Sequence, residues 1–224
     1  MYTLENLLLA KKIGGNSGGG GETELKGLLE RTATSLRIPE GITKLGAYSL
    51  AHIQSLTNLT LTSTLKSIGT NALYWCSGLT DLTIPEGTEK ILDSAFGYCK
   101  SLTKVTLPNS VTTLDGYVFS NCISLNDITL SNGITMINSG TFSDCKALTK
   151  ITFPNKITTI SNNAFQRCTG LLTVTFTAKA SSVGSSAFSG CTALETINVP
   201  WSEGEVANAP WGATNATINY NHVG

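Results

Sequence analysis

This chain is short of charge and of histidine. Charged residues make up 13% of it, well under the usual ~25%. Fifteen basic residues balance fifteen acidic ones. With no net charge and no basic stripe, the electrostatic footprint of a nucleic-acid binder is missing, and no nucleic-acid partner is expected. The only histidines are His52 and His222, so a Ser-His-Asp or Cys-His nucleophilic centre has little to be built from. No C-x-x-C pair occurs, so neither metal nor cofactor is expected. No apolar run approaches the ~20 residues of a membrane span. The Gly-rich stretch from Gly14 to Gly21 is not followed by Gly-Lys-Ser/Thr, so it is no phosphate-binding loop. The first ten residues have no basic n-region, and the Leu7-Leu8-Leu9 run is short and runs into Lys11-Lys12. No secretory signal is expected there.

What the chain does have is a period. Its six cysteines fall at Cys76, Cys99, Cys122, Cys145, Cys168 and Cys191, each step being 23 residues. Leucines follow three places later, at Leu79, Leu102, Leu125, Leu148, Leu171 and Leu194. Six and eight places after each cysteine stand two apolar residues with a polar one between them, as in Val105-Thr106-Leu107. That alternation is the pattern of a half-buried strand, because successive side chains point to opposite faces. Eight such strands run from Leu36–Ile38 to Ile197–Val199. Pro39, Pro85, Pro108, Pro154 and Pro200 share one register behind the strands, where the lack of an amide donor does no harm. A second apolar ladder follows at Ile68, Ile91, Leu114, Ile137, Ile160 and Val183, and then pairs such as Ala95-Phe96 and Ala164-Phe165. Each unit therefore reads as strand, turn, second extended piece and short helical turn. A unit this small cannot bury its own apolar residues, so the units must stack into one elongated solenoid. The cysteines read as a ladder of small buried apolar side chains with weak S–H donors, not as disulfides.

The repeat Ala95-Phe96-Gly97-Tyr98-Cys99-Lys100-Ser101-Leu102-Thr103-Lys104-Val105-Thr106-Leu107-Pro108 resembles the BspA-like, or Treponema-type, leucine-rich repeat. The resemblance spans about residues 36–200. The first unit departs from it, with Leu50 for Phe and Ile53 for Cys. It implies a β-rich, right-handed leucine-rich-repeat solenoid, with a parallel sheet on one face and short helical turns on the other. It also implies an interaction module, several such proteins being bacterial surface adhesins, and it carries no catalytic signature.

The domain reading has five parts. Residues 1–13 are expected to be an amphipathic helix carrying Leu4, Leu7 and Leu8, a face suited to self-association or docking. Residues 14–21 are a Gly-rich linker, 22–35 a capping helix, 36–200 the solenoid, and 201–224 a C-terminal cap whose segment Thr217 to Tyr220 suits a last strand. The tail through Trp201, Pro210 and Trp211 also resembles end segments of phage and prophage tail-associated proteins. That likeness implies an alternative role, as a structural component of a tail-like particle docked through the N-terminus.

The expected binding surface is the row of strand residues that point away from the core: Thr83, Thr106, Thr129, Thr152 and Thr175. Beside them runs a row of alternating charge, Asp81, Lys104, Asp127 and Lys150, expected to pair in line. A flat hydroxyl surface repeating every ~4.8 Å suits a repetitive polymer, whether a polysaccharide or an extended protein. The expectation is a non-catalytic protein- or glycan-recognition module. A glycan-acting enzyme using Glu203 and Glu205 is the distant alternative. The resemblances imply an extracellular or virion-associated setting, while the missing signal leaves a cytoplasmic one open.

Overall fold

The computed structural model describes residues 8–12, 23–28 and 32–222. It opens with β1 (Leu8–Lys12) and β2 (Thr23–Leu28). Long and short strands then alternate. They are β3 (Ser35–Arg37) and β4 (Lys44–Leu45), β5 (Asn58–Thr60) and β6 (Ser67–Ile68), then β7 (Asp81–Thr83) and β8 (Lys90–Ile91). Next come β9 (Lys104–Thr106) and β10 (Thr113–Leu114), β11 (Asp127–Thr129) and β12 (Met136–Ile137), and β13 (Lys150–Phe153) and β14 (Thr159–Ile160). The last are β15 (Thr173–Phe176) and β16 (Ser182–Val183), followed by β17 (Thr196–Asn198) and β18 (Thr217–Asn219). Where neighbouring coils pair, they pair parallel and in strict register, Thr83 on Thr106 and Thr106 on Thr129. The chain is a parallel-strand solenoid of 23-residue coils, with long strands on one wall and short strands on a second.

The third wall consists of tight turns, and no helix forms among the described residues. This corrects the expected helical turn. The residue before each cysteine adopts a left-handed backbone, as in Trp75 (φ 61°), Tyr98 (φ 61°) and Asn121 (φ 60°). That conformation turns the amides of this wall toward the following coil. Leu73 donates to the Ala95 carbonyl (2.8 Å), Phe96 to Val118 (2.9 Å) and Phe119 to Thr141 (2.9 Å). A helix would spend the same amides within its own coil. Each cysteine closes the wall by donating its thiol to a carbonyl 26 residues upstream, Cys122 to Phe96 (3.2 Å) and Cys145 to Phe119 (3.2 Å). All six cysteines are buried and free. Burial pushes the Cys122 thiol up to about 12.

The core is a set of ladders. Phe96, Phe119, Phe142, Phe165 and Phe188 stack along the axis with centroids 5.1–5.6 Å apart, and all five are fully buried. Burial of each contributes roughly 1.5–3 kcal/mol. At the C-terminal end Trp201 and Trp211 are buried against Phe176, and Phe188 donates its amide to the Trp211 carbonyl (3.0 Å).

The N-terminal helices expected over 1–13 and 22–35 are replaced, in the described residues, by strands. β1 and β2 form an antiparallel pair, and β2 runs parallel to β4, Glu24 opposite Lys44 and Leu25 opposite Leu45. β2 covers the edge of the first short strand, β4, and a strand meets the backbone amides and carbonyls of such an edge where a helix does not. Leu4, Leu7 and the linker over 14–21 lie outside the described residues.

Candidate functional site

The threonine row is where the sequence places it. Thr83, Thr106, Thr129 and Thr152 are exposed and Thr175 is half-buried, while Leu82, Val105, Ile151 and Val174 between them are buried. The charge row departs from expectation. Lys104 pairs with Asp127 at 2.8 Å, and that hydrogen bond and charge hold the Lys104 ammonium above its usual range. Asp81 instead accepts from the Thr80 hydroxyl (3.0 Å). Among the described residues, neither Asp81–Lys104 nor Asp127–Lys150 forms an ion pair.

The row is also interrupted. The long-strand sheet falls into three pieces, β3–β5, β7–β9–β11 and β13–β15–β17–β18. At the break between β5 and β7, short strands β6 and β8 still pair behind it. The break between β11 and β13 goes deeper, because β10, paired with β8, and β12, paired with β14, do not pair with each other either. The β9–β11 boundary just before it is closed by flanking backbone bonds. Asn126 donates to the Thr103 carbonyl (3.0 Å) and Leu107 to the Thr129 carbonyl (2.9 Å). The register equivalents one coil on, Thr149 to Asn126 and Leu130 to Thr152, are missing. On the short-strand wall, Asp115 donates its amide to the Ile91 carbonyl (3.0 Å). One coil on, Leu114 is reached by the Asn138 side-chain amide instead (2.8 Å). A side chain spans a distance that the backbone does not.

The loop after β11 differs from those of the adjacent coils. Where its neighbours have Pro108 and Pro154, this coil has Ser131. Ser131 is buried and donates its hydroxyl to the Val111 carbonyl (2.7 Å). Asn132 donates its amide to Asn109 Oδ1 (3.1 Å). Gly133 sits so close that a Cβ there would lie 2.6 Å from the Val111 carbonyl oxygen. These contacts tie the loop to the preceding coil, while the long strand before it is unpaired with the following one. A cleft of about 450 Å³ opens between β11 and β13. Asp127, Thr129, Lys150 and Thr152 line it, together with Asn126, Asn132, Leu130 and Pro154. Ile128, whose counterparts Val105 and Ile151 are buried, is half-exposed in its wall.

Of the nine surface residues singled out from sequence, the structure gathers these four in one cavity. Asp81, Thr83, Lys104 and Thr106 lie on the flat sheet to one side, and Thr175 on the other. The cleft offers hydroxyls, one ammonium and a patch of apolar floor. The cleft lining holds no buried acid–base pair. Glu205 accepts from the Ser202 amide and the Lys179 ammonium, two contacts that hold its carboxyl below the usual range.

A second surface feature, part exposed and part half-buried, was not foreseen from the sequence. His52, Trp75 and Tyr98, each directly before the cysteine position, stack in line on the turn wall. His52–Trp75 centroids are 5.9 Å apart and Trp75–Tyr98 centroids 4.9 Å, with Lys100 Nζ 5.7 Å from the Trp75 ring centre. Tyr74 packs edge-on against the stack. Left-handed backbone at a bulky residue costs of order 1–3 kcal/mol, and ring stacking returns roughly 0.5–1.5 kcal/mol per pair. The signal was available: every phenylalanine is buried, while Trp75 and Tyr98 occupy the column that later coils fill with Asn121, Asp144 and Gly190.

With strand register, cysteine ladder and turn wall in view, the comparison with known proteins is decisive. Six copies of the BspA type Leucine rich repeat region match, over residues 30–145 and 89–209. The chain belongs to the BspA-type leucine-rich repeat family. Proteins of this type are typically surface adhesion or recognition modules. Among solved structures, a T. pallidum leucine-rich repeat protein is 26% identical over 77% of this chain and 83% of that one, with a TM-score of 0.69. A leucine-rich cell surface protein from Faecalibacterium prausnitzii is 25% identical, covering 85% of this chain and 63% of that one, with a TM-score of 0.55. A leucine-rich repeat protein from Bacteroides ovatus, 16% identical, shares the fold over 97% of this chain and 76% of that one (TM-score 0.52). No curated protein matches.

Proposed function

We propose that this protein is a recognition module that holds a protein or polysaccharide surface ligand on its long-strand sheet, with the β11–β13 cleft as the centre of contact. The observation that carries this reading is the convergence on one cavity of Thr129, Thr152, the Lys150 ammonium and half-exposed Ile128. Flat sheet alone offers hydroxyls without enclosure, whereas a concave site desolvates what it binds and gains specificity from a few placed polar groups. The flanking rows of Thr83, Thr106 and Thr175, with Asp81 and Lys104, extend the surface along the axis.

The test is capture of the fluorescently labelled chain by bacterial cells, mammalian cells and extracellular matrix, with the double variant Thr106→Lys and Thr129→Lys beside it. Saturable capture that the folded double variant loses supports the reading. Equal capture by the double variant moves the contact surface elsewhere on the molecule, and the aromatic stack on the turn wall becomes the candidate. A particle-docking role through residues 1–13 gives a different result: deletion of residues 1–21 abolishes assembly and spares capture.

A further inference from the structure

The cleft differs from an ordinary pocket in having two strand edges for its sides. In a parallel strand, alternate residues turn their N–H and C=O toward opposite neighbours. Thr129 turns toward β9, since its carbonyl accepts from Leu107 at 2.9 Å. Ile128 N–H, Ile128 C=O and Leu130 N–H therefore face the cleft. On the opposite edge the same parity directs the N–H and C=O groups of Lys150 and Thr152 at it. Among the described residues none of these edge groups pairs with another strand. Buried or half-buried backbone groups seek partners, and the natural occupant between two parallel edges is a third extended backbone.

We infer that the β11–β13 cleft binds an extended polypeptide segment of a protein partner, which enters as an added strand and completes the broken sheet. This rests on reading the cleft as the recognition site. The register specifies the segment. Its central side chain lies between Ile128 and Ile151, on the core side, and must be apolar and strand-forming, valine or isoleucine. The residues on either side point outward, one beside Asp127 and Lys150, the other between Thr129 and Thr152. Asp127 is already paired with Lys104 at 2.8 Å, whereas Lys150 has no carboxylate within ion-pair distance among the described residues. The first outward position therefore favours glutamate or aspartate, and the second a hydroxyl residue. A polysaccharide meets the hydroxyls and the ammonium equally well, but it does not match the alternating donors and acceptors of two strand edges, nor does it cover Ile128. The turn wall stays bonded behind the cleft, Phe119 to the Thr141 carbonyl at 2.9 Å, so widening to admit a strand is a rotation about an intact wall.

The experiment has two arms, both on the full chain. In the free protein, hydrogen exchange is compared between Leu130 and its register equivalent Leu107. The Leu130 amide is expected to exchange at least ~100-fold faster. Equal protection means that the edges are closed, and the inference fails. In the second arm the chain is panned against random linear twelve-residue peptides and, in parallel, against an array of bacterial and host oligosaccharides. The expected result is peptides with an acidic–(Val/Ile)–(Thr/Ser) core. Their affinity falls at least ~tenfold in Lys150→Glu and on N-methylation of the central peptide amide, and their binding slows exchange at Leu130. Peptides indifferent to both changes, or none at all, overturn the inference. Oligosaccharide binding that Lys150→Glu abolishes leaves the cleft as the recognition site and removes the strand. Binding of neither class by the parent chain, or binding that a folded Lys150→Glu variant retains in full, removes the site as well.

Discussion

At the same coil boundary the two faces of this solenoid behave differently. On the turn wall Phe119 and Phe142 stack at 5.6 Å, Cys145 donates to the Phe119 carbonyl at 3.2 Å, and the amide ladder is unbroken. On the sheet walls of that boundary both ladders lapse and a cleft of about 450 Å³ opens. The turn wall is dry and close-packed, so a gap there loses contacts and leaves buried polar groups unpaired. A sheet rim is wet, and water replaces a lost ladder bond at little net cost. Continuity is therefore held by the buried wall, and adaptability is left to the exposed one, where we propose that a ligand binds.

That contrast can be broken most severely at the hinge. Phe142→Ala is expected to cost about 3–5 kcal/mol, read as a drop in urea midpoint, whereas Ile128→Ala in the cleft wall is expected to cost about 1 kcal/mol, since it is half-exposed already. Similar losses at the two positions would mean that the sheet wall carries as much of the fold as the turn wall.

The next effect is electrostatic. Asp144, buried on the turn wall, accepts two bonds from Arg167, at 2.9 and 2.6 Å. The guanidinium holds the Asp144 carboxyl below the usual range. A depressed carboxyl stabilises the fold above its unfolded value of about 3.9 and loses that contribution as pH falls through its folded value. Arg167→Ala is expected to cost about 1–2 kcal/mol near neutrality, with the difference from the parent vanishing in acid urea melts below that folded value. A difference that persists there would assign the effect to packing.

Ser131→Pro sharpens the comparison from the other side. It removes the bond to the Val111 carbonyl and supplies the residue that Pro108 and Pro154 provide in adjacent coils. The stability change is expected to stay within about 1 kcal/mol, while exchange at Leu130 slows toward that of Leu107. Unchanged exchange would mean that Ser131 does not hold the seam open. The mildest expectation concerns the thiols. With all six thiols buried, the cysteines should ignore a disulfide reagent in the native chain and react together on denaturation. Rapid native labelling would show that the turn wall opens too.

Much of this molecule was legible because a repeat tests itself. The strand pair at Val105 and Leu107, the cysteine ladder and the outward threonines recur from coil to coil, and a local pattern seen many times is no accident. The N-terminal strands were not legible. Leu25 and Leu28 satisfy a helical spacing as readily as an extended one, and what decides is the open edge of β4, contributed by residues some twenty positions later. The cleft was half legible. Four of its lining residues, Asp127, Thr129, Lys150 and Thr152, were singled out, but as members of an unbroken row, because a constant period implies constant spacing in space.

By itself, then, the sequence determined the stacking, the register and which side chains face out, since those follow from alternation and from apolar residues that only neighbouring coils can bury. Tertiary structure alone decided where the stack opens. The pull of Ser131 on the Val111 carbonyl and the close seat of Gly133 are contacts between coils, and a local period carries no information about how tightly one coil sits upon the next.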